Sequence, residues 1–150
     1  MPLFSVIIPF HTSASTLGAT LKSLQAQTCQ DWDAICIDDG GCDLARTIAD
    51  RFAAGDRRIK VLDNTGSGPS DARNLGAALA TGEYLAFLDA DDLWTQNKLS
   101  TLADSFSNSS SDALYAQIGF FDETPADCKT LSNVLPHPLR IADLLAENPV

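Results

Sequence analysis

The segment that most limits what this chain can become is Tyr84-Leu85-Ala86-Phe87-Leu88-Asp89-Ala90-Asp91-Asp92-Leu93-Trp94. Its five leading apolar residues read as a short buried strand, and three carboxylates follow within four positions, where such a strand would leave a sheet. Carboxylates this close repel one another and resist losing water, so at neutral pH they either stay in solvent or share a cation. All-oxygen donors of this hardness suit Mg²⁺ or Mn²⁺ better than zinc, with substrate phosphates completing the shell. The alternative is a solvated loop in which Asp92 caps the helix that follows.

Charge bears on that choice. The 150 residues carry 20 acidic groups against 10 Lys and Arg, a net charge of −10, and 17 of the acidic residues are Asp. Aspartate favours loops, caps and ligand positions over helix surfaces. Nucleic acid is not an expected partner for so acidic a chain. An anionic nucleotide would need local relief from the repulsion, which a bridging cation provides. With 45% hydrophobic and 20% charged residues the chain has the balance of a soluble globular protein, and its length fits one domain over residues 1–150. Cys29, Cys36, Cys42 and Cys128 show no C-x-x-C spacing, which reads as reduced thiols and a cytoplasmic setting. The sequence shows no signal peptide and no run of 18 apolar residues, so membrane association is expected only through segments outside these residues, at the inner face of the membrane.

Taken in order, the chain alternates between two periodicities. Phe4 to Pro9 reads as a central parallel strand, and a helix capped by Ser13 or Ser15 carries Leu17, Leu21 and Leu24 on one stripe. Ala34 to Ile37 is a second buried strand that releases Asp38-Asp39-Gly40-Gly41, and Asp43 is placed to cap a helix presenting Leu44, Ile48 and Phe52, with Arg46 and Asp50 on another face. Ile59 to Leu62 is a third strand, nearer an edge because Lys60 interrupts it, followed by the loop Asp63 to Gly68 and by Pro69 in the first turn of a helix that buries Ala72, Leu75, Gly76 and Leu79. After the opening segment, Thr95 is expected to cap a helix with Leu99, Leu102 and Phe106. Ala113 to Phe121 reads as another strand, and Ile141, Leu144 and Leu145 as a short final helix. The order β-α-β-α-β-α-β-α-β-α predicts an α/β fold, a mainly parallel Rossmann-like sheet with helices on both faces. In such sheets ligands bind outside the carboxyl ends of the strands, where Pro9 to Thr12, Asp38 to Gly41, Gly66 to Arg73 and Asp89 to Asp92 all fall.

Five stretches in this order, Ser5-Val6-Ile7-Ile8-Pro9-Phe10, Leu24-Gln25-Ala26-Gln27-Thr28, Ile37-Asp38-Asp39-Gly40, Ala72-Arg73-Asn74 and Gly82 through Trp94, resemble the inverting family 2 glycosyltransferases of GT-A fold. The resemblance covers roughly residues 4 to 100 and implies transfer of a sugar from a nucleoside-diphosphate sugar, a UDP-sugar by the residues matched, to a hydroxyl of an acceptor the residues do not specify. It implies that Asp89-Ala90-Asp91 is the family's D-x-D motif, with Asp91 on a Mg²⁺ or Mn²⁺ ion and Asp89 at the ribose or the metal's water shell. It also implies that Asp38 and Asp39 both lie at the donor nucleotide, with Asp39 accepting the uracil ring N–H, that Arg73 meets base or phosphate oxygens, and that Pro9 and Phe10 approach the base. His11 and Thr12 stand where the family usually has tyrosine and asparagine, and His11 reads as an exposed loop residue. Because the family's chains are longer, the 150 residues are expected to be the donor-binding half of a C-terminally truncated GT-A domain, serving biosynthesis of a cell-surface polysaccharide.

Plainer readings of two residues stay open: a turn aspartate for Asp39, and a surface ion pair of Arg73 with Asp71 or Asp50. No general base is assigned, since Asp122, Glu123, Asp127, Asp143 and Glu147 each read as solvated or capping residues. Two rival classes remain. One is a haloacid-dehalogenase-type phosphohydrolase, whose motif also begins D-x-D after a strand; here Leu93 stands where threonine or valine is expected, and the motif comes fourth among the strands. The other is a nonenzymatic nucleotide-binding module on the same scaffold. A dinucleotide-binding domain is disfavoured because no G-x-G-x-x-G follows the first strand.

Overall fold

The computed structural model describes residues 1–114, 119–120 and 129–130. Four parallel strands form one sheet: β1 (Phe4–Phe10), β2 (Trp32–Asp38), β3 (Ile59–Asp63) and β4 (Tyr84–Phe87), in the spatial order β3-β2-β1-β4. The helices between and after them are α1 (Leu17–Gln25), α2 (Asp43–Gly55), α3 (Pro69–Leu79) and α4 (Lys98–Ser107). Contacts divide the chain into two compact units, Met1–Ser110 and Ser111–Val150. In the second unit β5 (Gly119–Phe120) pairs antiparallel with β6 (Lys129–Thr130). The long strand expected over Ala113 to Phe121 is thus described only at Gly119–Phe120, and the helix expected around Ile141, Leu144 and Leu145 lies outside the described residues. Among the described residues no helix is long and apolar enough to cross a membrane.

Every residue of β1 is buried, because it is covered on both faces. Phe4, Val6, Ile8 and Phe10 meet Leu17, Leu21 and Leu24 of α1, Ala45 and Ala49 of α2 and Leu99 of α4; Ile7, with Ile35 and Ile37 of β2, meets Ala72 of α3. The three leucines of α1 are fully buried, each removal from water contributing about 1.5–3 kcal/mol. Gly76 lets α3 approach closely, since a Cβ there would run into the Ile7 side chain. Pro9 lies inside β1 rather than ending it. The Ile7 carbonyl accepts from the Leu88 N–H and the Phe10 carbonyl from the Asp39 N–H, so by alternation the nitrogen of Pro9 faces β4's side, past the last paired residue Phe87.

Several expected details are corrected. β4 is an edge strand in this sheet, not a buried one: Leu85 is 45% and Phe87 51% exposed, because α3 lies over β1 and β2 and does not extend over β4. Leu44 and Leu79 are exposed, and the small residues Ala45 and Ala49 make the buried stripe of α2, with Ile48 and Phe52 at its margin. Neither Ser13 nor Ser15, Asp43 or Thr95 is a side-chain cap; the N-cap positions are Thr16, Cys42 and Asn97, none with a side-chain cap bond. The backbone supplies these turns instead: the Ser13 carbonyl accepts from Thr16 and Leu17, and the Thr95 carbonyl from Lys98. Pro69 does open α3, and β3 does lie at an edge. Cys29, Cys36 and Cys42 are free, and burial pushes the Cys36 thiol up to about 12.

At the amino ends of the strands, away from the acidic rim, Asp56 accepts from Arg58 Nη2 at 2.7 Å and from Gln25 Nε2 at 3.1 Å, and the Arg58 guanidinium stacks on Trp32 at 3.7 Å. The Arg58 side chain foremost holds the Asp56 carboxyl well below its ordinary 3.8. A carboxyl whose pKa falls on folding binds fewer protons folded than unfolded, so its stabilisation is complete above 3.8 and is lost as the pH drops below it. In urea unfolding at pH 7, Asp56→Asn is expected to cost about 1–3 kcal/mol, and the gap to wild type is expected to narrow at about pH 3. A gap that stays constant with pH would remove Asp56 from the acid response.

Candidate functional site

The carboxyl ends of β1, β2 and β4 and the start of α3 enclose a cleft of about 270 Å³. Of the residues expected there, Pro9, Phe10, Asp39, Arg73, Asp89, Ala90 and Asp91 all line it. Asp38 does not: its Oδ1 accepts from the Gly40 N–H at 2.9 Å and its Oδ2 lies 3.4 Å from Arg46. His11, Ser13 and Pro69 complete the wall. His11 is exposed, as its loop position suggests, yet its ring rests against Gly41, where φ is +90° and a Cβ would strike the imidazole.

Two of these side chains are tied across elements. Arg73, on α3, donates from Nη2 to Asp89 Oδ1 at 2.6 Å, so it pairs with neither Asp71 nor Asp50. Asp39 Oδ1 accepts from Asn64 Nδ2 at 2.6 Å and from the Gly68 N–H at 3.0 Å, which fastens the end of β2 to the loop before α3. Behind Asp38, Arg46 of α2 gathers three carboxylates, donating to Asp50 at 3.1 Å and to Asp63 as well as meeting Asp38. The hydrogen bond to Asp63 is the largest influence raising the Arg46 pKa, against burial, which lowers it.

The turn bearing the carboxylates is held from α1. The buried Thr20 hydroxyl donates to the Ala90 carbonyl at 3.0 Å, and Ser23 Oγ accepts from the Trp94 N–H at 3.2 Å. The buried Gln27 amide donates to the Thr95 carbonyl at 2.8 Å and accepts from the Leu99 N–H at 2.9 Å. A spacing of three residues puts Thr20 and Ser23 on one side of α1, and Gln27 follows just past the helix end; that polar i, i+3, i+7 pattern beside the buried leucines was the available signal for these anchors. Asn64 and Gly68 carried a weaker one, in a loop whose composition says only that it turns.

Asp92 is not a helix cap. Its N–H closes a turn onto the Asp89 carbonyl, while α4 begins only at Lys98. Burial first, then the charges of Asp91 and Asp89, push its pKa up. Among the described residues no group of three or more His, Cys, Asp or Glu side chains is arranged to hold a metal by itself. Two cleft-lining carboxylates with a third crowded beside them still fit a hard divalent ion whose remaining ligands come from phosphate and water.

The chain matches the family described as Glycosyl transferase family 2 over residues 5–148. It belongs to that family. Among curated relatives of this family 2 chain, glycosyltransferase GlyG of Streptococcus pneumoniae is 32% identical over 124 residues, 81% of this chain and 41% of the relative. The UDP-Glc:alpha-D-GlcNAc-diphosphoundecaprenol beta-1,3-glucosyltransferase WfgD of Escherichia coli is 38% identical over 98 residues, 65% of this chain and 38% of the relative. The chain therefore spans roughly two fifths of the length of these relatives. Staphylococcal TarS 1-349 (S. aureus), solved in complex with UDP-GlcNAc, matches with a TM-score of 0.63 at 26% identity over 70% of this chain and 31% of that one. The parallel sheet with helices on both faces is the GT-A fold of these transferases.

Because Thr20 is the side-chain anchor of the Ala90 carbonyl, Thr20→Val, which keeps the shape and removes the donor, is expected to destabilise the chain by about 1–2 kcal/mol in urea unfolding. Unchanged stability would mean that the turn holds its place without that bond.

Proposed function

We propose that residues 1–150 are the donor-binding half of a GT-A domain that transfers a sugar, with inversion, from a UDP-sugar to an acceptor hydroxyl, assisted by Mg²⁺ or Mn²⁺. The observation that carries this reading is the convergence of Asp39, Arg73, Asp89 and Asp91 on one cleft at the rim of the sheet. The relatives' names support the nucleotide: WfgD is a UDP-Glc transferase and TarS was solved with UDP-GlcNAc.

In this reading the base enters beside Pro9 and Phe10, with its ring N–H donated to the Asp39 carboxylate. Arg73, already oriented by its bond to Asp89, presents its remaining N–H groups to base or phosphate oxygens. Asp91, with Asp89 nearby, would hold the divalent ion, and what the ion supplies when bound is positive charge opposite the diphosphate as the sugar leaves. The acidic residues after Phe121 lie outside the described residues, and none is given the role of base. The setting that goes with this reading is the cytoplasm, at the inner face of a membrane where cell-surface polysaccharide is built, with the described cysteines kept as thiols.

Calorimetric titration of UDP with and without Mn²⁺ tests the proposal. Metal-dependent heat is expected from the wild type, and Asp91→Ala is expected to weaken it by about tenfold or more while circular dichroism stays unchanged. A folded wild type giving no metal-dependent heat would overturn the donor-site reading.

A further inference from the structure

We infer that Asn64 is a positioning residue that sets nucleobase selectivity by locking the Asp39 carboxylate; the inference rests on the UDP-sugar reading of the cleft. Asp39 Oδ1 is fully engaged, with the Asn64 amide at 2.6 Å and the Gly68 N–H at 3.0 Å, and among the described residues no donor is bonded to its Oδ2. Asn64 is itself held on every side. Its N–H donates to the Asp38 carbonyl at 2.7 Å, its Oδ1 accepts from the Gly66 N–H at 3.1 Å, and its amide also reaches the Gly68 carbonyl at 3.4 Å. With Oδ1 accepting from the Gly66 N–H and two acceptors, Asp39 Oδ1 and the Gly68 carbonyl, facing Nδ2, the amide is oriented with its nitrogen toward Asp39.

A carboxylate pinned through one oxygen cannot rotate to offer either one at will. The oxygen left for the cleft is an acceptor, and it selects a base that brings a hydrogen. The uracil imide does so at N3; cytosine at the same position presents a lone pair, which would set two acceptors against each other. Released from Asn64, Asp39 keeps only the Gly68 N–H and can swing, so it loses the direction of its acceptor before it loses its charge. The consequence is a change in preference between bases, with the hold on the diphosphate left as it was.

The test uses the 150-residue chain with Mn²⁺ and titrates UDP, CDP and inorganic pyrophosphate into wild type and Asn64→Ser. Serine keeps a hydroxyl able to accept from the Gly66 N–H and so spares the turn, but it is too short to reach Asp39. UDP is expected to weaken about tenfold, with CDP and pyrophosphate unchanged within about twofold, so that the UDP-over-CDP preference collapses. Parallel weakening of all three would make Asn64 a support for the loop and overturn the inference, as would a variant that keeps its preference for UDP; in either case the wild-type titration leaves the donor reading standing. A wild type that binds UDP and CDP equally also overturns the inference, and one that binds none of the three overturns the donor reading with it.

Discussion

Parallel strands all leave a sheet at the same end, and β1 lies between β2 and β4 although β2 and β4 are far apart in sequence. The chain therefore reverses its direction of winding at β1, and the loops that follow the neighbouring strands part there and leave a crevice. Every chemical feature of this molecule depends on that opening. Asp39 arrives from β2, Asp89 to Asp91 from β4, Pro9 and Phe10 from β1 itself, and Arg73 from the first turns of α3. β1, buried along its whole length and packed on both faces, is the strand against which these contributions are placed.

Gathering so many carboxylates at one rim of a chain with net charge −10 is tolerable because each cation there is committed. Arg46 serves Asp38, Asp50 and Asp63 behind the rim, and Arg73 serves Asp89 within the cleft. These pairs are partly exposed, so their value lies in orientation more than in stability. Among the described residues Asp91 and Asp92 form no ion pair, and burial first, then the charges of Asp91 and Asp89, push the Asp92 carboxyl up. That surplus of negative charge beside a guanidinium is the electrostatic form expected of a place that receives a cation and a polyanion together.

Rigidity reaches the turn from behind. Thr20, Ser23 and Gln27 spend their polar groups on backbone atoms of Ala90, Trp94 and Thr95, in the irregular segment between β4 and α4, and of Leu99 in the first turn of α4. Irregular backbone next to a core needs such partners, because an unpaired buried N–H or carbonyl costs more than a made bond returns. On the opposite side of the cleft Asn64 does the same for Asp39. Both flanks of the crevice are thus set by neutral side chains bonded to its lining residues or to the turn that bears them.

Much of this was written in the residues. Runs such as Val6-Ile7-Ile8 and Ala34-Ile35-Cys36-Ile37 can only be buried strands, the leucine spacing of α1 can only cover them, and short polar stretches at the strand ends must then share one rim. Fold class and most of the cleft wall follow from that periodicity, a local property of the chain. What the sequence could not decide was which of two adjacent aspartates faces the cleft, which cation meets which acid, and whether an apolar strand is covered. Asp38 and Asp39 differ in nothing but position; Arg46 of α2 and Asn64 of the next loop, 8 and 25 residues away, sort them. Leu85 and Phe87 read as core and lie exposed because α3 stops over β1. Pairings and coverage of this kind are set by distances between elements that only packing fixes, and no local pattern encodes them.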